Sequence, residues 1–311
     1  MLSRAASELY WMSRYLERAE NLARMLDVSW NLAMVPASLI SRNELAAPLV
    51  ITGTRESYMA RYDTMEINNL LHFFALDEEN PGSIFHCIRR ARENAHAVRG
   101  RISAEVWESI NATWIELQDI RRLGVLGMGA GSFLDWVKER SHLFRGASYG
   151  TILRNDAFRF IRIGTFLERA DNTARILDVR HQAGGPVTSS AVDYYRWNAL
   201  LRSVSAFEAY REIYSDRIST ERVAELLILR AEVPRSLRSC MEMLCELLPA
   251  IEGNAGLESK RLAAVQYARL QYGDVNHIFD VGLHSYLTDF LRRINELAET
   301  IQSEYLDSSG R

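Results

Sequence analysis

Residues 16–28 read LERAENLARMLDV, and residues 167–179 read LERADNTARILDV. Ten of the thirteen positions are identical, and two of the others are close exchanges, Glu20 for Asp171 and Met25 for Ile176. The match continues outward from this motif. Glu56, Tyr58 and Tyr62 align with Glu208, Tyr210 and Tyr214 at an offset of 152, against 151 for the motif itself. Pro81, Ser83 and Cys87 then align with Pro234, Ser236 and Cys240 at an offset of 153. Matches in one order with single-residue drift are what a tandem duplication leaves behind. The halves run over roughly 1–150 and 151–311, and the second shows no clear match to 101–145.

Apolar residues recur at three- and four-residue spacing along most of the chain, which is helix periodicity. No pair of alternating runs joined by an Asn-Gly or Asp-Gly turn argues for strands. Helices are expected over about 4–33, 49–77, 82–100, 103–123, 133–145, 154–181, 190–215, 220–231, 234–251, 258–272 and 283–305. Asn80 before Pro81 reads as a helix N-cap, and Ser132 with Asp135 as a capping box. The segments 34–48 and 181–190 read as linkers. The expected fold is therefore all-α. It is a helical bundle of two tandem repeats, related by a pseudo-two-fold axis and sharing one core, with 1–311 forming a single domain.

On a helical wheel over residues 2–30, Leu2, Ala5, Leu9, Leu16 and Ala23 fall within about 60° and form the expected buried stripe. Glu17 and Arg24 lie on its flank beside Tyr10 and Asn21, with Arg14 and Arg18 continuing the polar sector. Glu20 and Asp27 lie nearly in line with Leu16. The second copy repeats this with Glu168, Asn172 and Arg175 on the flank and Asp171 and Asp178 in line with Leu167. A carboxylate in line with an apolar stripe is either marginal or buried and paired, because an unpaired buried charge costs several kcal/mol. Three explanations stay open: salt bridges that set helix register, a binding site for a ligand or partner, and direct catalysis.

Composition narrows the function classes. The net charge is −3, and no basic tail or Lys-rich block argues for nucleic acid. No apolar run approaches the roughly 18 residues of a membrane span. The N-terminal segment carries Arg4, Glu8, Arg14, Glu17 and Arg18, unlike a signal peptide. Three cysteines, Cys87, Cys240 and Cys245, form no metal-ligand spacing and suit a reducing cytoplasm. Glu93 with His96 and Asp178 with His181 have di-iron-like spacing, but neither pair recurs in the other copy, so no metal or cofactor is expected. The stretch GVLGMGAGS at 124–132 lacks the Lys-Ser/Thr of a P-loop and reads as a flexible loop. The tryptophans are expected to pack the core, and the helix near 283–305 is strongly amphipathic.

At LYWMSRYLERAENLAR (9–24) the chain resembles the alpha-E domain family, bacterial all-helical proteins with Glu-Arg motifs. Phe166-Leu167-Glu168-Arg169-Ala170-Asp171, Asn80-Pro81-Gly82-Ser83-Ile84 and Ala91-Arg92-Glu93-Asn94-Ala95 carry the same resemblance, while His96 stands where Arg is expected. The resemblance implies an accessory protein working beside circularly permuted ATP-grasp ligases and transglutaminase-like proteins, in carboxylate–amine bond formation or peptide modification. On that reading Arg14, Glu17, Arg18, Asn21, Arg24, Glu168, Arg169, Asn172 and Arg175 present a polar groove to the ligase or a peptide. Two alternatives stand beside it: a helical enzyme with a Glu general base at the inter-repeat axis, and a salt-bridged scaffold.

Overall fold

The computed structural model describes residues 1–33, 45–183, 190–253 and 256–307. Among these residues there are helices and connecting turns and no strand. The chain divides into two compact units, Met1–Thr165 and Phe166–Asp307.

Unit one is built around α1 (Ser3–Ala33). Three short helices follow, α2 (Ala47–Thr52), α3 (Arg55–Met59) and α4 (Ile67–Ala75). Then come α5 (Ile84–Ala97), a 3-10 turn (Arg99–Arg101) and α6 (Ala104–Leu123). A single short turn of helix, α7 (Val125–Met128), leads to α8 (Ala130–Thr151). Helix α1 packs on α5 and α8, and α6 packs on the same two helices from the other side. Tyr10, Phe73, Phe74, Phe85 and Phe133 are fully buried in this core.

Helix α9 (Asp156–Ala183) carries the chain across the division between the units. Unit two continues with α10 (Ser190–Ser203), α11 (Phe207–Tyr214), α12 (Thr220–Leu229) and α13 (Leu237–Leu247). It closes with α14 (Leu257–Gln271), α15 (Val275–Val281), α16 (Leu283–Ile301) and a π-helical turn (Gln302–Leu306). The amphipathic α16 buries Leu283, Leu287, Phe290, Ile294, Leu297 and Ile301.

The same local contacts recur in the two units. The Tyr58 hydroxyl donates to the Thr64 carbonyl at 2.9 Å, and the Tyr210 hydroxyl to the Arg217 carbonyl at 2.9 Å. Ser83 caps α5 by accepting from the His86 amide and donates to the Asp77 carbonyl. Ser236 caps α13 by accepting from the Ser239 amide and donates to the Arg230 carbonyl. A short helix, a glycine with positive φ and a long helix follow one another in both units, with Gly129 at φ 93° and Gly282 at φ 95°. Residues 257–301 thus have the helix order of 104–151, a likeness that the divergent sequence hides.

Several local expectations are corrected. The stretch 49–77 is three helices because Gly53, at φ 67°, ends α2 and an irregular turn follows α3. Ser205, at φ 53°, lies in the turn that interrupts 190–215. Asn80 is not a helix cap: its Oδ1 accepts from the Gly82 amide and its amide donates to the Phe73 carbonyl, so it closes the turn ahead of Ser83. Ser132 lies inside α8, whose cap is Gly129. The stretch 124–132 is mostly helical, hinged at Gly124 and Gly129, both with positive φ. Leu2 is 74% exposed and Ala5 half-buried, so the stripe on α1 begins at Ala6 and Leu9. Of the expected linkers, 34–44 and 184–189 lie outside the described residues.

Candidate functional site

The repeated motif puts Glu17, Glu20, Arg24 and Asp27 on α1, and the packing of α8 brings Lys138, Ser141, His142 and Arg145 against them. Glu20 is fully buried and Glu17 is 2% exposed. Glu20 holds donors on both oxygens. Its Oε1 accepts from Arg24 Nε and Nη2 at 2.9 and 2.7 Å. Its Oε2 accepts from the Ser141 hydroxyl at 2.7 Å and from Arg145. The same Arg145 nitrogen reaches Glu17 Oε2 at 3.2 Å and Ser141 at 2.9 Å.

Two buried carboxylates are thus matched by two guanidinium groups, which is the condition under which charge survives in a low-dielectric interior. The cluster meets solvent at His142, 56% exposed, whose Nε2 lies 3.7 Å from Glu20 and 3.4 Å from Arg24. One turn away, Lys138 donates to Asp27 at 2.9 Å and pairs with Asp135 at 2.7 Å. Burial pulls the Lys138 ammonium toward a lower pKa, but the hydrogen bonds to Asp135 and Asp27 outweigh it and hold the pKa above the ordinary lysine value.

The other expected site residues on α1 have different surroundings. Arg14 donates to the Tyr10 hydroxyl at 2.9 Å and lies 5.0 Å from the centre of the Trp11 ring. Arg18 lies 5.8 Å from the Tyr15 ring, and Asn21 is buried. In unit two, Arg175 forks onto Asp171 at 2.8 and 3.1 Å, repeating Arg24 on Glu20 in a more exposed setting. Glu168, Arg169 and Asn172 are buried, and Arg169 reaches the Pro234 carbonyl at 3.4 Å. Asp178 pairs with His284 of α16 at 2.7 Å, in the role Lys138 has toward Asp27.

The α1 motif alone does not reveal its partners on α8. Lys138, Ser141, His142 and Arg145 are the signal that sequence reasoning passed over: spaced at helical intervals, they form one polar stripe along α8. The arrangement is suited to recognition by charge and to locking two helices. Among the described residues no group of His, Cys, Asp and Glu is placed to hold a metal ion. Glu93 is bound by Arg90 at 2.9 Å, and the His96 ring lies against Trp107.

A family model for a predicted alpha-helical domain with a conserved ER motif matches residues 1–306. The chain belongs to the Alpha-E family. Its two motif helices carry Glu-Arg pairs at Glu17-Arg18 and Glu168-Arg169. This Alpha-E chain is 24% identical over 330 residues to an uncharacterized protein of Mycobacterium bovis and to two of Mycobacterium tuberculosis. Each match covers 94% of this chain and 35% of the relative, so the Alpha-E chain spans about a third of the length of these curated relatives. No solved structure matches it. None of the described Alpha-E helices is long and apolar enough to cross a membrane.

Proposed function

We propose that this Alpha-E chain is a cytoplasmic binding module for an ATP-grasp-type carboxylate–amine ligase, serving peptide formation or modification. The face it offers is the lip of the α1–α8 cluster, where His142 and Arg145 bring a charge-balanced interior to the surface. The α9 residues Glu168, Arg169, Asn172 and Arg175 supply a second polar helix of the same kind.

The observation that carries this reading is the state of the two glutamates. Glu17 and Glu20 are buried and hold guanidinium groups. A carboxylate so occupied orients arginines for recognition, whereas a general base needs an oxygen facing the substrate proton. The relatives support the same view, since in them the matched region is about a third of a longer chain. A helical segment within a longer chain is an arrangement expected of an accessory part.

Titration calorimetry with the ATP-grasp ligase of the same source tests the proposal. The wild-type chain is expected to bind. His142→Ala, a change at an exposed side chain, is expected to weaken binding about tenfold, or about 1.4 kcal/mol, with no change in melting temperature. Absence of wild-type binding, or full affinity in the variant, rejects this face. Turnover of an amine substrate by the isolated chain, lost in Glu17→Gln with the fold intact, would establish the enzymatic alternative instead.

A further inference from the structure

The seam between α5 and α6 in unit one carries a second surface, independent of the α1–α8 lip. Residues 86–101 read HCIRRARENAHAVRGR, five arginines against one glutamate in a chain whose net charge is −3. Packing sets two of these arginines, Arg92 and Arg99, in a row with aromatic rings. Arg99 lies 5.1 Å from the centre of the Trp107 ring, and Arg92 lies 5.9 Å from Trp107 and 6.0 Å from Trp114. Phe85 stands 5.3 Å from Trp114 and takes Arg121 at 5.1 Å on its own ring. Arg92 is further fixed by donating to Asn111 at 2.9 Å.

The local acids pair with the neighbours of Arg92, Arg99 and Arg101 and not with these three. Glu93 is engaged by Arg90, and Glu78 by Arg121. Glu105 and Glu108 are exposed on the first turns of α6. Arg99 and Arg101 are exposed and form no ion pair with any described residue.

The fold does not demand this pattern. In unit two, α13 and α14 form the corresponding helix pair, in a register set by the Ser83 and Ser236 caps. There Glu242, Cys245 and Glu252 stand where unit one has Arg89, Arg92 and Arg99, and Lys260 and Tyr267 replace Trp107 and Trp114. Tyr267 donates to Glu242 at 3.0 Å, a different way of closing the same seam. One helix pair therefore folds with either chemistry, and the arginine–tryptophan row is special to unit one.

We propose that the α5–α6 seam of unit one docks a carboxylate-rich segment of a protein partner, gripped by the guanidinium edges of Arg92, Arg99 and Arg101. A guanidinium resting on an indole is held at its face while its N–H edge stays open to a carboxylate fork, so less freedom is lost on binding. A single-stranded nucleic acid fits less well. Its bases require open aromatic faces, and Arg92, Arg99 and His96 already crowd the Trp107 ring.

The test uses the full chain and a fluorescein-labelled octapeptide of alternating aspartate and glutamate, read by anisotropy at about 20 mM salt, where screening is weak. The peptide is expected to bind, to release as salt rises, and to bind at least about tenfold more weakly to the Arg99→Glu/Arg101→Glu variant. Arg101→Glu alone, at an exposed position outside the ring contacts, should show a smaller loss with unchanged melting. Arg55→Glu, an exposed reversal elsewhere in unit one, should bind as wild type. No binding at low salt, equal affinity in the double variant, an equal loss in Arg55→Glu, or tighter binding of an oligothymidylate than of the peptide would each overturn the proposal.

Discussion

Gly164 of α9 lies so close to Tyr10 of α1 that a methyl group at position 164 would overlap the Tyr10 carbonyl oxygen. The same methyl would strike the Ser13 hydroxyl, which is buried and already donates to that carbonyl at 2.9 Å. Ser13 and Gly164 are also equivalent positions, three residues before the Leu-Glu-Arg of each motif, so this close helix contact falls where the two motifs correspond. A glycine in a helix interior costs about 1 kcal/mol against alanine, so its presence here opposes local preference. Gly164→Ala is expected to destabilise by about 1–3 kcal/mol in urea unfolding, because backbone cannot yield as a side-chain tip does. A neutral or stabilised variant would mean that helix propensity outweighs the contact.

The carboxylate pairs on the two motif helices predict unequal costs. Glu20 is fully buried and binds Arg24, Ser141 and Arg145, so Glu20→Gln leaves two guanidinium groups short of a charge. A loss of about 3 kcal/mol is expected. Asp171→Asn breaks the same i,i+4 fork on α9, but Arg175 is 40% exposed there, and about 0.5–1 kcal/mol is expected. Urea midpoints of the two variants measure the difference. Equal losses would show that the α8 partners add nothing.

How much of this could be read in advance follows from the range of each interaction. Helix class was legible because periodicity repeats every turn and needs no partner, but the wheel left Glu20 either marginal or buried, and Asp27, equally in line with Leu16, is only half-buried. The partners of Glu20 were not legible, since Ser141 and Arg145 reach it from a helix more than a hundred residues away. Breaks were missed where a single backbone angle decides, as at Ser205, a non-glycine residue with positive φ. Asn80 misled because Asn before Pro suits both a helix cap and the turn it in fact closes.

The serine caps offer a matched pair in the two units. Ser83 and Ser236 are each fully buried, accept from the amide three residues on, and donate to a carbonyl six residues back. Ser83→Ala and Ser236→Ala are each expected to cost about 1–2 kcal/mol, at the upper end for a cap because a half-buried carbonyl loses its donor as well. Thermal unfolding of both variants is the check. A cost confined to one variant would show that the shared geometry is not shared energetically.

Alkaline pH should weaken unit two. Burial pushes the Tyr286 and Tyr214 hydroxyls up to about 12, and burial followed by the nearby Glu242 and Glu246 pushes the Cys245 thiol up to about 11. Each group ionises more readily in the unfolded chain, near pH 10 for tyrosine and 8.5 for cysteine. With folded values raised, the stability these groups contribute is complete below the unfolded values and is lost as pH climbs through the folded ones. Stability measured by urea should therefore begin to decline near pH 9 through Cys245 and fall more steeply between pH 10 and 12 through the tyrosines. Tyr286→Phe cannot ionise at that position, so it should flatten the upper part of the decline while leaving the lower part, which Cys245→Ser removes. A curve identical to wild type in both variants would place the alkaline transition elsewhere in the chain.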